Sequence, residues 1–521
     1  MAKDENVNEI DNEVKQVNTV RPESEVASSA MSVNNAEDSL KSEQSQPIMS
    51  GIIGEVIDQK ASEVKETSFE TNKVDEGGNF VPLIKEGGNC PPLQYRPRSS
   101  GAINGMGYDA GIMQDNTRSV RQKKKADKAD NEFEDVNFKK PKPLWLKITI
   151  IVVSCILGIC AVFGVYIGYL EAGCDRIYNA KYLEVRDNRP AMLAKAVTYD
   201  VVTYNLNYGA FSSDYTYYKS VGKNLDGSTQ SGTSSRAFSK DRVEINTKGS
   251  AGIMSTGSNA EVEFFMFQEV DVDSTRTYYV DERQILKDVF LNYAEVFAET
   301  ASSNYIFAPL TSPIGKVNSG MVTYSAFEVD HAMRYTLPSN ESFPSKYSSN
   351  DNCVSIVKCG ISGVGDGELF CLINVNVSMY EDEEIRLRDL EALYKIMEKE
   401  LAVHNNYVVV GGSFSYLLYG EQGVFENKMI TPDWCTNLPE CFSEQRLNDI
   451  GFRIIKDDIA VELKTGTIRD CSVSYKEGST FEAITDGFIV SNNIVVEKIQ
   501  VLDGDYLYSA HNPVRLTFRL K

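Results

Sequence analysis

The chain has 521 residues, room for two or three domains, and a formal net charge of -21. So acidic a chain repels a nucleic-acid backbone unless a local basic patch overrides the field, which argues against nucleic-acid binding. Three histidines, and ten cysteines with no close Cys-x-x-Cys pair, argue against a multi-histidine or cysteine-rich zinc site.

Residues 1–140 are dominated by Glu, Asp, Asn, Ser and Gln, and the first fifty contain no aromatic. Such a segment buries too little apolar surface to offset its chain entropy, so a disordered tail is expected. Residues 148–169 read ITIIVVSCILGICAVFGVYIGY, without a charge. At about 1.5 Å per residue this run spans roughly 33 Å, against a hydrocarbon core of about 30 Å. It predicts one transmembrane helix, with Trp145 on one side and Tyr166 and Tyr169 on the other to suit the two interfaces. A dense series of Lys and Arg at positions 118–147 precedes the span, while Glu171 and Asp175 follow it. The positive-inside rule then places the tail in the cytoplasm and residues 171–521 outside the cell membrane.

Beyond the span, strand-like runs are predicted at 196–205, 262–267, 369–377, 407–411, 487–490 and 514–520, and helices at 282–300 and 383–404. In the second helix Ile385, Leu387, Leu390, Leu393, Ile396, Met397 and Leu401 recur at largely helical spacing. Mixed strands and helices through one long unit predict an α/β sandwich. Seven cysteines lie beyond the span, so they do not all pair within one chain. Cys435 and Cys441 are near enough for a local disulfide in an oxidising compartment, and buried free thiols are an equal alternative.

Five short stretches close strand-like runs: VVTYNLNYG, FFMFQEVD, LINVNVSMY, VVVGGSFSY and YSAHNPV. As an ordered set they resemble the endonuclease/exonuclease/phosphatase superfamily. A bacterial membrane-anchored branch is suggested by PIGKVNSG before position 321, GTIRD before 471 and ITDGFIVSNN before 494. The resemblance covers residues 201–520 and implies a four-layered α/β sandwich that cleaves phosphate esters with a divalent metal. It implies that Asn205 and Glu269 position Mg²⁺, a hard cation that prefers oxygen ligands. It also implies that His511 contacts phosphate or moves a proton. Asp486 is a further acidic candidate for the metal, or else a strand-end turn residue. Arg469 is a candidate to hold an anionic ligand, or else a packed structural residue.

Several family positions are replaced. The G-D-x-N stretch appears here as Gly412-Ser413-Phe414-Ser415, the S-D-H motif as Ser509-Ala510-His511, and the central-strand histidine as Asn376. Serine is no general base near neutral pH, and such a base contributes roughly 10²- to 10⁴-fold. Ala510 removes a metal-proximal carboxylate, so any Mg²⁺ site is expected to be weak. Asn376 offers only neutral hydrogen bonds, about half as strong as charge-assisted ones. The expectation is a catalytically impaired pseudoenzyme serving as an envelope binding or scaffold module. Its expected partners are the lipid bilayer, an envelope protein or phosphorylated ligand outside, and a cytoplasmic protein through the tail. The alternative is an active Mg²⁺-dependent phosphoesterase with a rearranged site, acting on a phospholipid, a lipid-linked phosphate or a nucleotide. His331 and His404 read as structural, and no G-x-S-x-G elbow supports a serine hydrolase.

Overall fold

The computed structural model describes residues 142–521, apart from 175, 255–260, 309, 311–312, 365–366, 378 and 380. The tail expected to be disordered lies outside the described residues. The first element, α1 (Leu144–Ala172), has a mean hydropathy of 2.8 over its apolar window and is long and apolar enough to cross a membrane. None of that window is buried, whereas a soluble core helix of such composition would be packed on all sides.

Two mixed sheets follow. The first contains β1 (Thr198–Asn205), β2 (Phe264–Asp271), β3 (Ala294–Ile306), β4 (Gly315–Ser325), β11 (Ile494–Val501) and β12 (Val514–Leu520). Its order is β11-β12-β1-β2-β4-β3, closed by the short strand Val185–Arg186. The second contains β5 (Val329–Thr336), β6 (Cys353–Ser362), β7 (Leu369–Asn376), β8 (Tyr407–Ser413), β9 (Phe452–Ile455) and β10 (Asp486–Ser491). Here the order runs from the short strand Lys181–Tyr182 through β5-β6-β7-β8-β10-β9. The pairs β1/β2 and β7/β8 are parallel, and they lie at the centres of their sheets.

The strands read as near-continuous apolar runs because both faces are covered. Along β1, Tyr199 and Val201 join the large core that both sheets share, while Val202 and Tyr204 join a second core with α2 (Lys240–Met254) and α3 (Glu282–Val289). β2 repeats the alternation, with Phe264 and Met266 on one side and Phe265 and Phe267 on the other. This is the period-two geometry of a strand, used twice to make an α/β sandwich. In α4 (Glu383–Glu398), Leu390, Leu393 and Met397 pack into the large core.

Two helix expectations change. The helix at 282–300 ends at Val289, and from Ala294 the chain is strand β3. Ala294, Val296 and Ala298 alternate into the interior, and pairing with β4 overrides the helical propensity of its Ala and Glu residues. The helix at 383–404 becomes a single π turn over Lys399–Val403. Cys435 and Cys441 are both free thiols.

α4 is anchored by a buried polar contact, in which Asn352 Nδ2 donates to Asp389 Oδ2 at 2.8 Å while Asp389 Oδ1 has no protein partner. Burial pushes the Asp389 carboxyl from 3.8 up to about 8. The folded chain therefore keeps a proton that the unfolded chain releases, and stability falls as pH rises through that window. Chemical denaturation between about pH 4 and pH 8 should show this decline, and Asp389→Asn should flatten it and stabilise the alkaline end. Glu263, raised to about 7 by burial, should leave a shallower residual slope.

Candidate functional site

The five weak motifs meet at one end of the sandwich, four of them closing strands and the fifth, with His511, leading into β12, which runs antiparallel to β1. Asn205 ends β1 beside Gln268 of β2, and Asn376 ends β7 beside Ser413 of β8, which in turn faces Asp486 of β10. Gly412 allows β7 and β8 to come this close. Its φ is +148°, and a Cβ there would sit 1.9 Å from the Val375 carbonyl oxygen. The result is a cleft of about 340 Å³ lined by Asn205, Glu269, Asn376, Ser413, Ala510 and His511, among others.

Glu269 is aimed by its backbone. The ladder between β2 and β4 slips between Phe267 and Val270, and Glu269 takes a φ of 55°. Such bulges redirect side chains next to functional sites. Both of its carboxylate oxygens are then met by side-chain amides: Asn207 Nδ2 at 3.0 Å on Oε2 and Asn376 Nδ2 at 3.4 Å on Oε1. Asn207 Oδ1 also accepts from Ser509 Oγ and from the Ala510 amide, both at 3.1 Å. One asparagine thus ties the first strand, the glutamate and the terminal loop together. Its position two residues after Asn205 gave no warning of that role; the one sequence signal is that Asn tolerates the left-handed backbone it adopts, φ 45°.

His511 and Asp486 form a buried pair. His511 Nδ1 lies 3.0 Å from both Asp486 oxygens, and since a carboxylate only accepts, a proton on Nδ1 is donated to it. Asp486, the acidic candidate of the sequence, thus places its carboxylate against His511. Thr485 Oγ1 donates to that carboxylate as well, at 3.0 Å.

The donor set does not fit a catalytic Mg²⁺. A hard dication is held by oxygens, usually with one or two carboxylates. Glu269 is capped by two NH₂ groups, Asp486 is taken by His511, and Ala510 offers none. Asn205 Oδ1 already accepts from the Asn207 amide at 2.9 Å. Among the described residues no cluster of three or more His, Cys, Asp or Glu has metal-holding geometry.

Other expected site residues serve the scaffold. The Arg469 Nη1 and Nη2 groups donate to four carbonyls, those of Asp470, Val473, Ser212 and Tyr215, at 2.8–3.1 Å. That commitment replaces the ligand contact expected of it. Ser415 Oγ donates to the Val377 carbonyl, and the Ser415 carbonyl accepts from Arg386 at 2.7 Å. Ser413 lines the cleft and is almost fully buried there. Cys471 also lines the cleft, but burial pushes its thiol up to about 11, so it is no thiolate nucleophile. Sequence reasoning missed Arg276 as well. It pairs through Nε and Nη2 with Asp271 at 2.9 and 2.8 Å and lies 3.3 Å from the centre of the Tyr208 ring, forming a rigid cationic wall.

No protein-family model matches the chain, and no curated protein matches it. Solved structures do match. An endonuclease/exonuclease/phosphatase protein from Beutenbergia cavernae is 14% identical, with a TM-score of 0.40 over 62% of this chain and 72% of its own. The corresponding protein from Bacteroides vulgatus is 14% identical, with a TM-score of 0.36 over 62% of this chain and 100% of its own. The catalytic domain of human Nocturnin, solved with a bound sulfate anion, is 13% identical, with a TM-score of 0.36 over 65% and 98%. The chain is similar in fold to endonuclease/exonuclease/phosphatase proteins. What its cleft does is read from its own residues.

Asn207→Ala removes the Glu269 cap and both links to the terminal loop. Leaving those buried partners unsatisfied should cost about 2–4 kcal/mol, measured by denaturant unfolding. Asn207→Asp should be at least as damaging, since it sets a second carboxylate against Glu269.

Proposed function

We propose that this chain is a membrane-anchored, phosphoesterase-like binding module with impaired catalysis, its folded domain outside the cell membrane and its tail in the cytoplasm. The observation that carries the reading is the closure of Glu269 by two asparagine amides, at positions where the family motif would supply a metal and a histidine. Replacement of the acidic positions by Ser413 and Ala510 supports it. The orientation rests on the basic flank before α1. In this reading the cleft holds a phosphorylated ligand or an envelope protein, and the tail recruits a cytoplasmic partner.

A second reading has one observation in its favour. The buried His511–Asp486 pair is an oriented imidazole at the cleft, the arrangement a general base requires. It would make the chain a phosphoesterase acting without the usual carboxylate set.

The two readings separate on turnover. The full-length chain, assayed with Mg²⁺ on a panel of phosphomonoesters and phosphodiesters, should show none above background. Calorimetric titration should likewise detect no tight Mg²⁺ site, and the double substitution Ser413→Asp with Ala510→Asp should create or strengthen one. Metal-dependent hydrolysis by the unmodified chain, abolished in both Glu269→Gln and His511→Ala, would overturn the proposal in favour of the second reading.

A further inference from the structure

A second cavity, about 120 Å³, adjoins the cleft and shares Tyr208, Lys219 and Arg276 with it. Among the described residues its lining is cationic, in a chain of net charge -21: Arg176, Lys219, Arg236, Arg276 and Lys346 against one acid, Asp351. Three of these six charges are already balanced, Arg276 by Asp271, Lys346 by Glu171 and Asp351 by Arg334. Arg176, Lys219 and Arg236 have no carboxylate within ion-pair distance among the described residues.

Arg176 Nη2 donates to the Lys346 carbonyl at 2.5 Å and to Ser349 Oγ at 2.8 Å, while its Nε and Nη1 are buried without a protein partner. Tyr215, fully buried in the same lining, has an unpartnered hydroxyl too. Unsatisfied buried donors are costly, and cations gathered around one cavity repel each other; the nearest further acid, Glu381 of the adjoining cleft, feels Arg176 and Lys219 but lies outside ion-pair distance of both. Both costs fall if one group brings several acceptor oxygens and negative charge, as a phosphate does.

The cavity also has a defined place. Cys174 and Arg176, immediately past the end of α1, line it. Lys346 Nζ and Tyr347 Oη, on the opposite wall, donate to Glu171 of the helix at 2.7 and 2.8 Å. Tyr347 packs against Leu170. With α1 in a bilayer, this opening lies at the depth of lipid headgroups.

We propose that the second cavity binds a phosphate group, carried either by a lipid headgroup or by a soluble phosphate ester. The proposal goes beyond the cleft's own role and does not depend on whether the cleft hydrolyses anything. Cys174 supplies a reporter, because occupancy of the cavity it lines should slow its alkylation by a maleimide, mapped by peptide mass spectrometry. The full-length chain would be held in dodecyl maltoside micelles, which carry no phosphate, with and without glycerol phosphate, and in nanodiscs of phosphatidylglycerol. Slower labelling with glycerol phosphate identifies a soluble source. Slower labelling only in phosphatidylglycerol discs identifies a lipid source. In either case Lys219→Glu and Arg236→Glu should each weaken the protection by about tenfold in probe concentration, the loss of one charge-assisted contact. Lys219 is exposed, so its reversal leaves the fold intact and keeps the test valid if Arg236→Glu misfolds. Unchanged labelling with both probes overturns the proposal, as does equal protection in the Lys219 variant.

Discussion

The cleft depends on a buried polar network between the two sheets at its end of the sandwich. Gln268 Nε2, at the end of β2, donates to Asn374 Oδ1 of β7 at 2.7 Å and to Thr203 Oγ1 of β1 at 2.9 Å. Asn374 Nδ2 returns across the interface to the Phe267 and Val322 carbonyls and to Thr323 Oγ1. Apolar sheets packed face to face slide over one another at little cost, but a buried amide that loses its partner is expensive, so this network sets their relative position. Glu269 is the residue after Gln268, and Asn376 lies two residues beyond Asn374. Fixing the first pair brings the second to the cleft.

That constraint explains which parts of the site were legible. Every motif that closes a strand was visible locally, because a strand's apolar alternation and its polar terminus lie within a few residues. The parallel pairs β1/β2 and β7/β8 then carry those termini to one end, so Asn205, Glu269, Asn376, Ser413 and His511 line one cleft. The hydrogen-bond partners were not legible. Asp486 and His511 are 25 positions apart, and nothing local distinguishes an acid that orients a histidine from one that ligates a metal. Arg469 reads as an anion clamp until the carbonyls of Ser212 and Tyr215, some 250 residues away in sequence, are seen to occupy it. β3 was misread because Ala and Glu favour helix in isolation, while pairing with β4 decides the outcome.

The replacements act as a set rather than as isolated losses. A carboxylate in a phosphoesterase cleft concentrates negative charge that a dication must offset. Glu269 has instead acquired two neutral donors, which satisfy its lone pairs without a metal. Asn376 therefore closes a hydrogen-bond circuit that a histidine would fill differently. Ala510 likewise removes a charge that would stand beside Glu269 with no cation between them.

Cleft and helix are linked through residues 345–350. Ser345, Ser348, Ser349 and Asn350 line the cleft, while Lys346 and Tyr347 between them hold Glu171 and Leu170 of α1. A six-residue segment with four side chains on a cleft and the two between them on a helix end couples the positions of the two. Its 3₁₀ turn at Ser345–Tyr347 and the Arg176 contacts to Lys346 and Ser349 stiffen it further. Any ligand that reorganises the cleft rim must then work against the contacts of the helix, and any force on the helix end is felt at the rim. Occupancy of the cleft and the position of the helix are then parts of one equilibrium.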